Sequence, residues 1–362
     1  MRGGTASPST PILARLAGHR HYTIPIAHRL PSNPVTFPMP HAIRIHAHGG
    51  PEVLQWEPVA ASVPGPGEVL IRQAAIGLNF IDVYERTGLY PGALPTGLGR
   101  EGAGVVEAVG PRVRGVAVGD RVAYVSGQPG AYAQERVMAA DRVVRIPDGV
   151  SDRLAAAAML KGLTAQFLLR RTYRVRKGDT VVVHAAAGGV GLILAQWARH
   201  LGAFVIGVVG SEAKAAVARE HGCQHVLLAG RDDVAARVRE LTGGLGAHVV
   251  YDSVGKDTFG ASLDSLRPLG MMVSYGNASG PVPPFAPLEL ARRGSLFLTR
   301  PTLFHYIARR AELERAAREL FDVIGRGAVR IEIGQTYALE DAARAHRDLE
   351  ARRTIGSSVL IP

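Results

Sequence analysis

The apolar positions change period along the chain, and the change divides it. Past Leu160, short apolar runs recur at residues 181–184, 204–209, 225–228, 248–252, 271–275 and 296–299, with helix-length amphipathic stretches between them. Runs of that length, β-branched and without polar alternation, suit strands buried on both faces. Their interleaving with helices predicts six parallel strands in a doubly wound α/β sheet. Upstream, runs at residues 69–72, 104–109 and 121–125 are broken by Pro64-Gly65-Pro66-Gly67 and Gly119-Asp120. That punctuation predicts a twisted, barrel-like β region from His41 to about Leu160. Helical patterns at residues 312–324 and 339–352 and an apolar run at 357–361 lie beyond the sheet and are expected to return to the first region. No internal repeat interrupts this order.

The densest chemistry lies where the first parallel strand should end. After residues 181–183, Ala185, Ala186, Ala187, Gly188, Gly189 and Gly191 keep a turn free of bulk, and Leu192, Leu194, Ala195, Ala198 and Leu201 then fall on one helical stripe. Backbone N–H groups of such a turn, with Val190, can reach a pyrophosphate held at a helix N-terminus. The pattern is Ala186-x-Gly188-x-x-Gly191, with alanine in place of the usual first glycine, so the short motif alone is weak. A glycine-rich turn without a ligand is the plainer alternative. The complete strand–turn–helix–strand setting favours a dinucleotide clamp.

The end of the next strand selects between dinucleotides. Sites that prefer NADH place a carboxylate there for the ribose 2′-hydroxyl, whereas this chain has Gly210, then Ser211, with Lys214 one turn on. A hydroxyl and a cation suit a 2′-phosphate, so NADPH is the expected cofactor. Glu212 reads as a carboxylate in the first turn of a helix, and Lys214 as a solvated lysine is the competing account. Ser253, in Asp252-Ser253-Val254-Gly255, and Tyr275-Gly276-Asn277 follow the fourth and fifth strands and face the same crevice.

Composition narrows the rest. A chain of 362 residues, 47% hydrophobic and 20% charged, is expected to form two domains of a soluble enzyme-like protein. No apolar run approaches the roughly eighteen residues of a membrane span. Cys223 is the sole cysteine, which excludes an internal disulfide and a thiolate zinc cluster and fits a cytoplasmic setting. The net charge of +11 would suit a nucleic-acid partner, but only Lys161, Lys177, Lys214 and Lys256 are lysines, and the arginines are scattered. The densest group, Arg170, Arg171, Arg174, Arg176 and Lys177, reads as a solvated lead-in to a turn. Residues 1–38 carry proline, serine, histidine and arginine and no acid, and are read as an extension outside the fold. Met39 directly precedes the first strand-like stretch and is a candidate biological start.

Several longer stretches carry a family resemblance. They are HGGPEVL from His48, GLNFIDVYERTGLYPG from Gly77, LGREGAGVVEAVG from Leu98, GDRVAY from Gly119, LKGLTA from Leu160, HAAAGGVGL from His184, YDSVG from Tyr251 and GSLFLTRP from Gly294. With them the chain resembles the zinc-independent quinone oxidoreductases, the zeta-crystallin-like branch of the medium-chain dehydrogenase/reductase superfamily. The resemblance implies a GroES-like catalytic domain built from residues 39–162 and 301–362, an NADPH-binding Rossmann domain at 163–300, and usually a homodimer.

In the zinc alcohol dehydrogenases, relatives of this family, catalytic zinc ligands fall at the positions of Asn79, Arg100 and, in a looser register, Lys161. Neither a guanidinium nor an ammonium can ligate zinc at neutral pH, so no metal is expected. Lys161 has a second reading, as the partner of Glu101. Without a Lewis acid, reduction requires direct hydride transfer to an acceptor that tolerates negative charge, and quinones meet that demand.

By resemblance, Asn79, Tyr84 and Tyr90 form the polar rim around the acceptor, while Phe80, Asp82 and Thr164 approach the cofactor. Resemblance also assigns Tyr275, Gly276, Asn277, Phe297 and Arg352 to NADPH. The bland alternative makes Asn79 and Asp82 turn residues and the tyrosines strand-end packing. One departure stands out: close relatives carry a tyrosine after the third strand, where this chain has Leu228-Ala229-Gly230, with Arg231 as a charged substitute. An NADPH-dependent alkenal or enone reductase needs the same alignment and remains an alternative. So does an RNA-binding or structural protein that retains NADPH.

Overall fold

The computed structural model describes residues 39–362, so the expected extension at 1–38 and the candidate start at Met39 lie at or outside the edge of what is described. Six parallel strands form one sheet: Thr180–His184, Phe204–Val209, His225–Leu228, Ala247–Asp252, Leu266–Ser274 and Phe297–Thr299. Numbered along the chain, their spatial order is 3-2-1-4-5-6, with the first and fourth strands adjacent at the centre. That reversal opens a crevice at the carboxyl ends of the strands, where a doubly wound sheet takes its ligands. Burial explains the unbroken apolar runs. Val181 and Val183 enter one core while Val182 enters the core on the opposite face of the sheet.

The second sheet holds strands Ile333–Ala338, Ser357–Ile361, Glu68–Leu78, Glu101–Val109, Arg121–Val125 and Val143–Arg145 in that order, with Glu135–Ala139 also pairing with Glu68–Leu78. Ser358 lies opposite Leu78, so the downstream strand joins the upstream sheet, as its position in the pattern suggested. A small sheet of Gln55–Pro58, His41–Ile45 and Thr96–Gly97 completes this part. The strand expected at residues 69–72 runs to Leu78. Register shifts at Leu70/Ile71 and Gln73/Ala75 bend it and disrupt the alternation from which its length would be read.

Helix Asp152–Phe167 joins the two sheets and did not stand out in the sequence. From Ala155 onward it is buried on nearly every side, so it shows no polar face and no helical period. Ser151 caps it, accepting the Leu154 N–H at 3.2 Å. Its Met159 and Leu163 belong to a core that reaches Ala75 and Ala103 in the upstream sheet, Val183 and Tyr251 in the parallel sheet, and Leu313 and Leu320 of helix Arg310–Gly325. The pattern at residues 339–352 resolves into a short 3-10 turn, Leu339–Asp341, and helix Ala342–Glu350.

Candidate active site

The glycine turn is shaped by close approach. Ala185 adopts a left-handed φ of 51°, and helix Gly189–His200 begins directly after Gly188. A Cβ at Gly191 would stand 2.3 Å from the Ala185 carbonyl oxygen, so only glycine lets the helix pack onto the turn. Gly188, Gly189 and Val190 are half-buried, leaving the first turn of the helix open to an anion. The Gly356 N–H donates to the Ala187 carbonyl at 3.0 Å and fixes the outer side of the turn.

At the end of the second parallel strand, a Cβ at Gly210 would meet nothing within 4 Å. Ser211 caps helix Glu212–Glu220 by accepting the Lys214 N–H at 3.3 Å. Lys214 Nζ donates to the Arg352 carbonyl at 2.7 Å, which brings together two residues far apart in sequence. Burial and then the Arg352 cation pull the Lys214 ammonium below the usual lysine range. Arg352 itself is held left-handed at φ 58°. Glu212 is engaged by Arg231 at 2.7 Å. The donor set therefore fits a phosphate, and the close-packed turn fits a pyrophosphate.

The other end of the crevice is built on helix Phe80–Arg86. Asn79 precedes it in extended conformation, with its N–H bound by Asp82 Oδ2 at 2.9 Å. Its amide Nδ2 donates to Glu101 Oε1 at 2.8 Å, and Lys161 Nζ donates to the same oxygen at 2.7 Å. Lys161 thus takes its second sequence reading, as partner of Glu101. Its stem also runs beneath the glycine turn, where a Cβ at Gly189 would come within 2.7 Å of Lys161 Cδ. Arg100 is engaged by Glu85 and by the Gly127 carbonyl. At the zinc positions Arg100 and Lys161 are therefore held in ion pairs and Asn79 in a hydrogen bond to Glu101, and none of the three fits that ion. Among the described residues no group of three His, Cys, Asp or Glu side chains could hold a metal.

The two tyrosines close the rim. The Asn277 N–H donates to the Tyr84 hydroxyl oxygen at 2.9 Å, and the Tyr84 and Tyr90 rings meet edge-on at 5.2 Å. Phe80 packs against Tyr84 at 6.1 Å. Burial pushes the Tyr84 hydroxyl up to about 12, so it keeps its proton at neutral pH. Asp82 is fully buried; burial and the neighbouring Glu85 push its carboxyl up to about 8, and its Oδ1 has no partner. Tyr275 is also raised by burial, against a hydrogen bond to Ser253. A Cβ at Gly276 would lie 2.4 Å from the Ser253 carbonyl oxygen, so these two strand ends touch. Thr164 is buried one turn past Lys161.

Sequence reasoning missed Arg300. Its Nη1 donates to the Ser274 carbonyl at 2.9 Å and its Nη2 to the Tyr90 hydroxyl at 3.0 Å. Asn277 is best oriented with its amide nitrogen donating to Gly276 O and its oxygen accepting from Arg300. The available signal was position: Arg300 directly follows the sixth parallel strand, as Tyr275 follows the fifth. Phe297, by contrast, starts that strand opposite Met271, below the carboxyl end, and is 56% exposed. The structure does not bring it to the cluster.

Two family descriptions match the chain: "Alcohol dehydrogenase GroES-like domain" over residues 65–148 and "Zinc-binding dehydrogenase" over 189–322. A quinone oxidoreductase of Pseudomonas aeruginosa is 54% identical over 325 residues, covering 90% of this chain and all of the relative. The chain belongs to the quinone oxidoreductase family of the medium-chain dehydrogenase/reductases. A 2-haloacrylate reductase of Burkholderia is 48% identical, covering 88% of this chain and 98% of its own. The crystal structure of Escherichia coli quinone oxidoreductase complexed with NADPH superposes with a TM-score of 0.87 at 47% identity, over 89% of this chain and all of the other. The zinc of the second description is not matched by donors at Asn79, Arg100 or Lys161.

Proposed function

We propose that this protein reduces quinones with NADPH by direct hydride transfer and without a metal. The observation that carries the reading is the Lys161–Glu101–Asn79 cluster, which stands where zinc relatives carry metal ligands and ties Asn79 to the lysine beneath the glycine turn. Gly188, Gly189 and Val190 would hold the pyrophosphate, and Gly210, Ser211, Lys214 and Arg352 the 2′-phosphate. Ser253, Tyr275, Gly276, Asn277, Thr164, Phe80 and Asp82 would line the nicotinamide half. The bound cofactor supplies a hydride from its nicotinamide ring.

The chain's own groups align the acceptor and receive the charge. The quinone gains the hydride at the cost of leaving negative charge on oxygen, and one proton then completes the hydroquinone. The protonated Tyr84 hydroxyl can donate to that oxygen, and the Arg300 guanidinium reaches it through Tyr90. Donors fixed in place before the reaction need no reorganisation as the charge develops.

The division into a catalytic domain at 39–162 and 301–362 and a cofactor domain at 163–300 is supported by the strand at 357–361 joining the upstream sheet. Assembly as a homodimer and a cytoplasmic location rest on the family. Among the described residues no helix is long and apolar enough to cross a membrane. Many arginines are engaged by carboxylates, among them Arg121, Arg171 and Arg330, which speaks against a continuous surface for RNA.

Enone reduction is the second reading, favoured by the 2-haloacrylate reductase relative. Benzoquinones, naphthoquinones and medium-chain enones assayed side by side with NADPH separate the two, and turnover of enones alone rejects quinone reduction. Asn79→Ala is expected to lower kcat by more than it changes NADPH affinity, with Tyr84→Phe following in the same direction. Unchanged turnover in Asn79→Ala removes that residue from the mechanism.

A further inference from the structure

The segment after Ala342 touches the phosphate end and the glycine turn of the crevice. Arg352 accepts from Lys214 at the phosphate end, and Gly356 donates to Ala187 at the glycine turn. A line of hydrogen bonds, buried beyond its start at Glu350, leads from the same segment to the Asn79 turn. Glu350 receives a two-pronged contact from Arg86, at 2.8 Å on each oxygen, and Arg86 also reaches His346 Nδ1 at 3.1 Å. His346 Nε2 lies 3.1 Å from the Tyr132 hydroxyl, which is 2.9 Å from Asp82 Oδ2. That same oxygen accepts the Asn79 N–H.

The line has one polarity. A guanidinium only donates, so His346 Nδ1 must be the bare nitrogen and Nε2 must carry the proton. Nε2–H then donates to Tyr132, and the Tyr132 hydroxyl to Asp82. Burial and the Arg86 cation hold His346 down to about 3, which keeps the ring neutral as this polarity requires. Arg86, Tyr132, His346 and Asp82 are all at most 1% exposed, so water cannot replace a broken link without a large rearrangement.

We propose that Arg86, Tyr132 and His346 are positioning residues that couple occupancy of the 2′-phosphate end to the geometry of the Asn79 turn. A phosphate at Lys214 and Arg352 tightens the segment that carries Glu350 and His346, and the buried line passes that order to Asp82 and the Asn79 N–H. Linkage makes the effect reciprocal: an ordered Asn79 turn strengthens phosphate binding by the same factor. This inference rests on the NADPH reading.

Amide hydrogen exchange on the full chain tests it, with 2′,5′-ADP as probe, which carries the 2′-phosphate and no nicotinamide. In the wild type the probe is expected to slow exchange at residues 211–215 and also, by about threefold or more, at 79–86. His346→Leu should keep the slowing at 211–215 and lose it at 79–86, and Glu350→Gln should weaken it. His346→Gln should restore it, because a side-chain amide offers a carbonyl to Arg86 and an N–H to Tyr132. In turnover, His346→Leu should lower kcat about tenfold, near 1.4 kcal/mol, with 2′,5′-ADP affinity unchanged. Slowing at 211–215 without slowing at 79–86 in the wild type overturns the coupling, as does full coupling in His346→Leu. No protection at 211–215 overturns the NADPH reading, and the coupling with it.

Discussion

Removing the charge of Glu101 is the sharpest perturbation available to this site. The carboxylate is fully buried; Oε1 receives Lys161 Nζ at 2.7 Å and Asn79 Nδ2 at 2.8 Å, while Oε2 receives the Leu160 N–H at 2.5 Å. Glu101→Gln keeps the shape but leaves the Lys161 ammonium, 5% exposed, without a counter-charge and turns an amide N–H₂ toward groups that only donate. Breaking one side of a buried pair costs about 3–5 kcal/mol, far more than the 0–1 kcal/mol of an exposed pair. Lys161→Met should cost a similar amount for the mirror-image reason. The double variant buries no charge, so its loss should fall well below the sum of the two, giving a coupling of at least about 2 kcal/mol. Urea unfolding of wild type, both single variants and the double variant at neutral pH measures this cycle. The argument fails if Glu101→Gln costs less than about 1 kcal/mol, or if the two single losses add within about 0.5 kcal/mol.

Three other outcomes can be checked directly. Lys214→Ala is expected to weaken NADPH about tenfold or more, the worth of a charge-assisted hydrogen bond, and to leave NADH nearly unchanged; equal weakening of both in binding titrations removes Lys214 from phosphate recognition. Arg300→Leu should lower kcat about tenfold or more while the KM for NADPH moves less, since the cation acts on charge that develops at the acceptor; an effect on KM alone counts against that role. For pH, His346 has a folded value of about 3 against 6.5 unfolded, so between these values the unfolded chain binds the extra proton. Stability therefore falls as pH drops below about 6.5, by up to about 1.4 kcal/mol per unit from this group. His346→Gln should flatten that limb in thermal melts at several pH values, and an unaltered slope refutes the assignment.

How much of this was legible depended on how local the cause was. The glycine turn and its flanking strands are specified within about thirty residues by packing and backbone conformation, and sequence shows such causes directly. Lys161 with Glu101 could be named as a candidate pair from their opposite charges, while the burial that makes the pair necessary shows only in the fold. Helix Asp152–Phe167 was hidden by its own burial, since a segment without a wet face has no periodic contrast. Phe297 opens a short strand and Arg300 directly follows it, and only the register of that strand against Met271 and the Ser274 contact show which reaches the crevice. The line from Arg86 to His346 joins residues 260 positions apart, and nothing in either neighbourhood announces the other.

The strand Ser357–Ile361 lies beside Glu68–Leu78, whose end leads directly into the Asn79 turn. Arg352 and Gly356 lie just ahead of this strand, so synthesis on the ribosome delivers the last pieces of the phosphate end and of the acceptor sheet together. A nascent protein stalled before Arg352 would lack both at once and would leave the Ile76–Leu78 edge without its neighbour.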